Sequence, residues 1–134
     1  MPHLIVLYTG NLDAETDMTA ACRSLADAML AVRDEQGQQV FPTGGIRVMA
    51  YPAAHFAVAD GQRDYAFVYL NLRMGRGRSE AVKQRAGEIT LAAAKKHFDP
   101  IFSERLIGLT LQIDEGREVF DAKCSNIHPL FQKG

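Results

Sequence analysis

The chain is poor in the features that mark several common protein classes. Of its 134 residues only two are cysteines, Cys22 and Cys124. Two cysteines so far apart exclude a disulfide scaffold and a cysteine-based metal site. Histidine is also scarce, and His3, His55, His97 and His128 lack ligand-like spacing, so no metal is expected. Neither sign of charge prevails. A formal net charge of −1 gives no support for general nucleic-acid or anionic-membrane binding. No apolar run approaches the ~20 residues needed to span a bilayer. The start lacks the basic region and cleavage pattern of a secretory signal. No linker, low-complexity tract or shift of composition divides the sequence. The expectation is one globular domain over residues 1–134, reduced and cytoplasmic. The 47% of hydrophobic residues is enough for a core, and the 23% of charged residues suits an ordinary surface.

What is present begins at residue 2. Pro2-His3-Leu4-Ile5-Val6-Leu7-Tyr8 is an apolar, β-branched run closed by Thr9-Gly10-Asn11, which predicts a strand. A small second residue generally permits removal of Met1, and Pro2 would then carry a free secondary amine. An α-amine titrates near pH ~8, and burial or a neighbouring cation lowers that value. Such an amine can serve as acid or base at neutral pH. Taken alone, a proline that merely opens a strand is the commoner meaning.

Residues 11–16 form a polar connection. A first helix is predicted from about Asp17 to Gln36, capped by Thr16 or Asp17 and ended by Gly37. Its apolar face carries Met18, Ala21, Cys22, Leu25, Met29 and Val32, so Cys22 reads as core. Phe41 to Gly45 turns the chain. Residues 46–51 alternate as a second strand, with Arg47 facing away from Ile46 and Val48. Arg47 is either a solvent-face arginine or an anion clamp. Pro52 interrupts this strand, which resumes as an edge over 54–59. After a turn at 60–64, residues 65–73 give the strongest strand pattern in the chain. Gly75-Arg76-Gly77-Arg78-Ser79 then leads into a helix from about Glu80 to Phe98, stopped by Pro100. Ser79 can cap that helix, whose start favours negative charge. Arg78 can grip a carboxylate with two parallel hydrogen bonds. His97 reads as a complement to the helix dipole. The basic cluster over residues 73–85 raises nucleic acid as an option, against which stand the balanced charge and the lack of interleaved aromatics. A fourth strand covers 106–114. The tail after it carries apolar pieces around Val119-Phe120 and Ile127–Phe131 that suit packing on a neighbouring subunit.

The order is strand, helix, strand, repeated once. Two βαβ units sharing one four-stranded sheet, with both helices on one face, give an α+β (α/β) two-layer sandwich. The other sheet face is left bare, and another copy of the chain is its natural cover.

Several segments together carry a family signature: Pro2-His3-Leu4-Ile5-Val6; Phe41-Pro42 with Gly45-Ile46-Arg47; Ala59-Asp60-Gly61-Gln62 with Asp64 to Val68; Gly75 with Gly77-Arg78-Ser79; His97-Phe98; and Lys123, Asn126-Ile127-His128 and Leu130-Phe131. In their order and spacing they resemble 5-carboxymethyl-2-hydroxymuconate isomerases of the tautomerase superfamily. The resemblance implies a homotrimer of β-α-β-β-α-β subunits and a cofactor-free 1,3-keto–enol tautomerase. The implied substrate is a dienol polycarboxylate from aromatic-acid degradation. It also implies that Pro2 shuttles the proton, that Arg47 and Arg78 bind carboxylates and stabilise the dienolate oxygen, and that Ser79 lies with them at the substrate. The chain departs from the family at Leu7 and Tyr8, which replace a more polar pair, in a longer first half, over residues 51–56, and in lacking tryptophan. These changes are expected near the pocket, where they would alter the substrate. A non-catalytic trimer that binds small carboxylates through Arg47 and Arg78 is the alternative. A nucleic-acid binder built on residues 73–85 is the weaker third.

Overall fold

The computed structural model describes residues 2–131. Four strands and two helices follow in the expected order: β1 (His3–Thr9), α1 (Met18–Leu30), β2 (Arg47–Ala53), β3 (Ala66–Met74), α2 (Glu80–Phe102) and β4 (Ile107–Glu115). The sheet order is β2-β1-β3-β4. The inner pair β1 and β3 is antiparallel, and each outer strand runs parallel to its inner neighbour. Each βαβ unit therefore closes on itself, and the two units meet along β1 and β3.

Alternation decides which side chains reach the core. Leu4, Val6 and Tyr8 of β1, with Val68, Leu70, Leu72 and Met74 of β3, are buried beneath the helices. Helix α1 meets them through Ala21, Leu25 and Met29, and α2 through Ala86, Thr90, Ala94 and Phe98. The outer strands contribute partly buried residues, among them Val48, Ala50, Leu109 and Leu111. On the other sheet face Leu7, Met49 and Tyr51 stand exposed, so that face lacks an apolar cover within the described chain.

Both helices are capped as their sequences suggest. Asp17 accepts a hydrogen bond from the Ala20 N–H, and Ser79 accepts one from the Val82 N–H. The far ends differ from expectation. Helix α1 stops at Leu30, six residues before Gln36. The Asp34 carboxylate accepts from the backbone N–H groups of Gln36 and Gln38, and Gly37 adopts φ +77°. That turn offers the backbone partners that compete with helix continuation. Gly37 thus serves the turn and does not end the helix. Helix α2 continues through Pro100 to Phe102, because Phe98 and Ile101 on either side of the proline are buried in the core. One lost N–H bond is outweighed by that burial. His97 consequently lies a turn inside the helix. Its Nε2 meets the Thr16 hydroxyl at 2.7 Å, tying α2 to the entry of α1 rather than serving the helix dipole.

Strand β2 runs through Pro52, which an edge strand tolerates, and residues 54–59 form no further strand. The tail turns back on its own chain. Its last turn, His128–Phe131, packs on the turn at Thr43–Gly45, and a Cβ on Gly44 would meet the His128 Cα at 2.5 Å. Ile127, Leu130 and Phe131 nonetheless stay exposed beside that contact. Val119 and Phe120 project into solvent.

Candidate active site

The start of β1 lies between the start of β2 and the end of β3. His3 is level with Arg47 on one side and with Arg73 on the other. Three like-charged or chargeable side chains thus share one row of the bare sheet face. Pro2 sits just before this row and is buried. Its carbonyl accepts a hydrogen bond from the Arg47 N–H at 3.3 Å, so Pro2 and the arginine are fixed together by backbone. Met1 lies outside the described residues, as do residues 132–134.

The segment 40–46 holds both arginines singled out in the sequence. Arg47 donates through Nη1 to the carbonyls of Gly44 and Ile46, each at 2.9 Å. Arg78 donates to the carbonyl of Gly75 at 3.1 Å and to that of Val40 at 3.3 Å, and its guanidinium lies 5.0 Å from the centre of the Phe41 ring. Among the described residues neither arginine has a carboxylate partner. Carbonyls fix the two guanidinium groups without neutralising them. Partial burial lowers the Arg78 pKa from its ordinary value, a cost that a bound anion would relieve.

A cavity of about 360 Å³ opens beside this row. His3, Arg47, Arg73 and Gly75 of the sheet end line it together with Glu118, Asp121 and Lys123 of the tail. Desolvation in the cavity wall, together with the charges of Arg47 and Arg73, lowers the pKa of His3. Arg78 does not line this cavity, although its turn leaves β3 at the same end. Ser79 is otherwise engaged: besides capping α2, its hydroxyl donates to the Glu35 carboxylate at 3.3 Å. Leu7, Tyr8 and residues 51–56 do not line the cavity either. Tyr8 is buried at the other end of β1, where it donates to Asp13 at 2.6 Å. The departures expected near the pocket thus lie away from this cavity. Cys22 stands half-buried at the margin of the core, where burial pushes its thiol pKa up.

Sequence reasoning placed Arg73 only in a basic cluster and gave Glu118 and Asp121 no role. Their convergence depends on strand register, which no local motif carries. A larger groove, about 1070 Å³, follows the open edge of the sheet between α2 and β4. Lys83 is already paired there with Glu80 and Glu115, so its charges are mutually satisfied. Among the described residues no three His, Cys, Asp or Glu side chains converge to hold a metal, and no helix is long and apolar enough to cross a membrane.

Comparison with known proteins makes the chain that carries this doubled βαβ sheet an isomerase. The chain belongs to the 5-carboxymethyl-2-hydroxymuconate isomerase family, whose model matches residues 2–131. It is 33% identical over 132 residues to the 5-carboxymethyl-2-hydroxymuconate Delta-isomerase of Escherichia coli, covering 98% of this chain and all of that one. A crystal structure of a 5-carboxymethyl-2-hydroxymuconate delta-isomerase is similar with 61% identity and a TM-score of 0.96, over all of this chain and 95% of the other. A second, of the isomerase from Deinococcus radiodurans R1, has 37% identity and a TM-score of 0.87, over 98% and 95% of the two chains. More distant structures share the fold alone, among them a fused 4-OT described as a symmetric trimer, at 20% identity and a TM-score of 0.53.

Proposed function

We propose that the chain ketonises a 2-hydroxymuconate-type dienol bearing several carboxylates, in the degradation of aromatic acids, through the amine of Pro2 after Met1 is removed. The neutral amine accepts the proton of the 2-hydroxyl. The oxygen becomes a carbonyl as the electron pair moves along the diene, and the ammonium returns the proton to a diene carbon. One O–H and one C–H exchange places, with no net oxidation and no call for a cofactor. Arg47 and Arg78 meet substrate carboxylates and the charge that develops on the dienolate oxygen. Their positive field keeps the Pro2 amine neutral and therefore basic. Ser79 belongs to the same strand end through the cap that fixes Arg78 at the start of α2. Direct contact of its hydroxyl with a substrate carboxylate requires that Glu35 give way.

The observation that carries this reading is the pair of arginines held by carbonyls, with no carboxylate of their own among the described residues: Arg47 bonded through its backbone to the buried Pro2, and Arg78 on the turn that leaves β3 at the same end. The names of the 33%, 37% and 61% identical relatives support the substrate class. The exposed Leu7, Met49 and Tyr51 support a homotrimer in which copies cover each other's bare sheet face, and the fused 4-OT trimer shows one way this fold assembles. A small, charged metabolite of this kind suits a cytoplasmic enzyme. The test is spectrophotometric decay of a dienol chromophore, with intact mass to establish loss of Met1. Rapid decay with processed protein is expected. A processed trimer that binds the dienol without converting it would instead establish a carboxylate-binding protein.

A further inference from the structure

The tail lies over the cation row as an anion does. From Arg117 to Cys124 it makes no backbone–backbone hydrogen bond among the described residues, and two small anchors hold its base. The Gly116 N–H donates to the Met74 carbonyl at 2.9 Å, and the Gly116 carbonyl accepts from the Arg76 Nε at 2.8 Å. From there Glu118 reaches Arg73 at 2.9 Å, with both side chains about half exposed. Lys123 is neutralised within the tail by Asp121. Asp114, level with Arg73 on β4, is engaged by the Asn71 amide at 2.8 Å. Glu118 is therefore the carboxylate that faces the guanidinium of Arg73.

Two properties make this contact exchangeable. A half-exposed ion pair contributes little to stability, so replacing one carboxylate by another is nearly neutral. The two partners also differ in rigidity. Arg73 stands on β3 between the buried Leu72 and Met74, whereas Glu118 rides on a segment without backbone pairing. A planar guanidinium on a rigid strand is a fixed receptor for a carboxylate, and Glu118 is its loosely held occupant. The receptor opens on the same cavity as Arg47, one strand position from Pro2.

We propose that Arg73 is a specificity-determining residue that binds the terminal carboxylate of the substrate's side arm, and that Glu118 holds this place until the substrate displaces it. The inference rests on the function proposed above and extends it to a third carboxylate. Its test has two arms. In the first, calorimetry compares propane-1,2,3-tricarboxylate with pentanedioate as unreactive probes. Arg73→Gln lowers the preference for the tricarboxylate about three-fold, the scale of one half-exposed ion pair. Arg73→Lys restores part of it, and Glu118→Gln raises tricarboxylate affinity about two-fold, since no carboxylate then competes for Arg73. In the second, kcat/KM is compared for 2-hydroxymuconates with and without the carboxymethyl arm. Arg73→Gln lowers the ratio between them chiefly through KM for the substrate with the arm. Equal losses for both acids, no preference in the parent protein, or a Glu118→Gln variant with unchanged affinity overturns the proposal. Arg73-dependent preference without turnover refutes the isomerase reading and retains the carboxylate site. Turnover without Arg73-dependent discrimination refutes the Arg73 assignment alone.

Discussion

Each end of the central strand pair is held by arginine, and the two ends use it in opposite ways. Where β1 ends and β3 begins, Arg105 is nearly buried, with 11% of its side chain exposed, between the carboxylates of Glu15 and Asp64. It also donates to the Asp64 carbonyl at 2.9 Å. Asn11 adds hydrogen bonds to Asp64 and to the Tyr65 carbonyl at the same place. Where β1 begins and β3 ends, Arg47 and Arg78 are held by carbonyls only. An arginine surrounded by carboxylates of its own chain closes a structure. An arginine positioned by neutral dipoles retains its charge for a ligand. Arginine by itself therefore marks no site: what binds it decides, and how firmly, since Arg73 at this same end meets one half-exposed carboxylate where Arg105 is enclosed by two.

The largest break in this comparison comes from Pro2. In processed protein Pro2→Ala lowers dienol turnover roughly a hundred-fold or more, the scale of a lost acid–base group. Circular dichroism and the mass of the assembly in solution remain those of the parent. The form that retains Met1 is equally inactive, because its Pro2 nitrogen is an amide. An unchanged rate in Pro2→Ala would sink the mechanism. The two ends are then exchanged as targets. Arg78→Ala lowers kcat/KM by about 10²–10³, as loss of one oxyanion donor does, with little change in the thermal midpoint. Arg105→Ala does the reverse, destabilising the fold by about 2 kcal/mol through lost charged hydrogen bonds while the folded fraction keeps its rate. Chemical denaturation and kinetics on the same two variants settle the contrast, and matching profiles would erase it.

Smaller effects sharpen it. Ser79→Ala removes the cap of α2 and costs about 1 kcal/mol, read as a lower denaturant midpoint. The pH dependence of His3 is smallest. Its folded pKa lies below the ordinary 6.5, through desolvation and the Arg47 and Arg73 charges, while Asp121 opposes the shift. The unfolded chain thus binds more protons below pH 6.5, and stability falls as pH drops through 6.5 towards the folded pKa. His3→Gln flattens the dependence of the thermal midpoint between about pH 7.5 and about pH 5.5. A parent protein with no steeper slope than His3→Gln would place that histidine in open solvent.

Much of this architecture could be read directly. The strand patterns at residues 2–8 and 65–73, the caps at Asp17 and Ser79, and the repeated βαβ order all depend on neighbours in sequence. The misplaced boundaries depended on distant contacts. Pro100 stays helical because Phe98 and Ile101 reach the core, and α1 ends early because Asp34 organises a turn. The same holds at the site. Pro2, Arg47 and Arg78 were visible through a family pattern, but the carbonyls that hold the two arginines become partners only after folding. Glu118 meets Arg73 across 45 residues of sequence, and only the parallel course of β3 and β4 brings them together.

The antiparallel meeting of the two βαβ units has a further consequence, for the number of sites a chain can have. Each unit starts with a strand, yet a polypeptide has one amino terminus. The strand start at Ala66 is mid-chain. Its preceding residue, Tyr65, contributes an amide, and its carbonyl is bound by Asn11. However closely the two halves match in topology, the proposed chemistry occurs once per chain. Cleaving the peptide bond before Tyr65 would create a second terminal amine, but at a place where Arg105, Asp64 and Glu15 already satisfy one another.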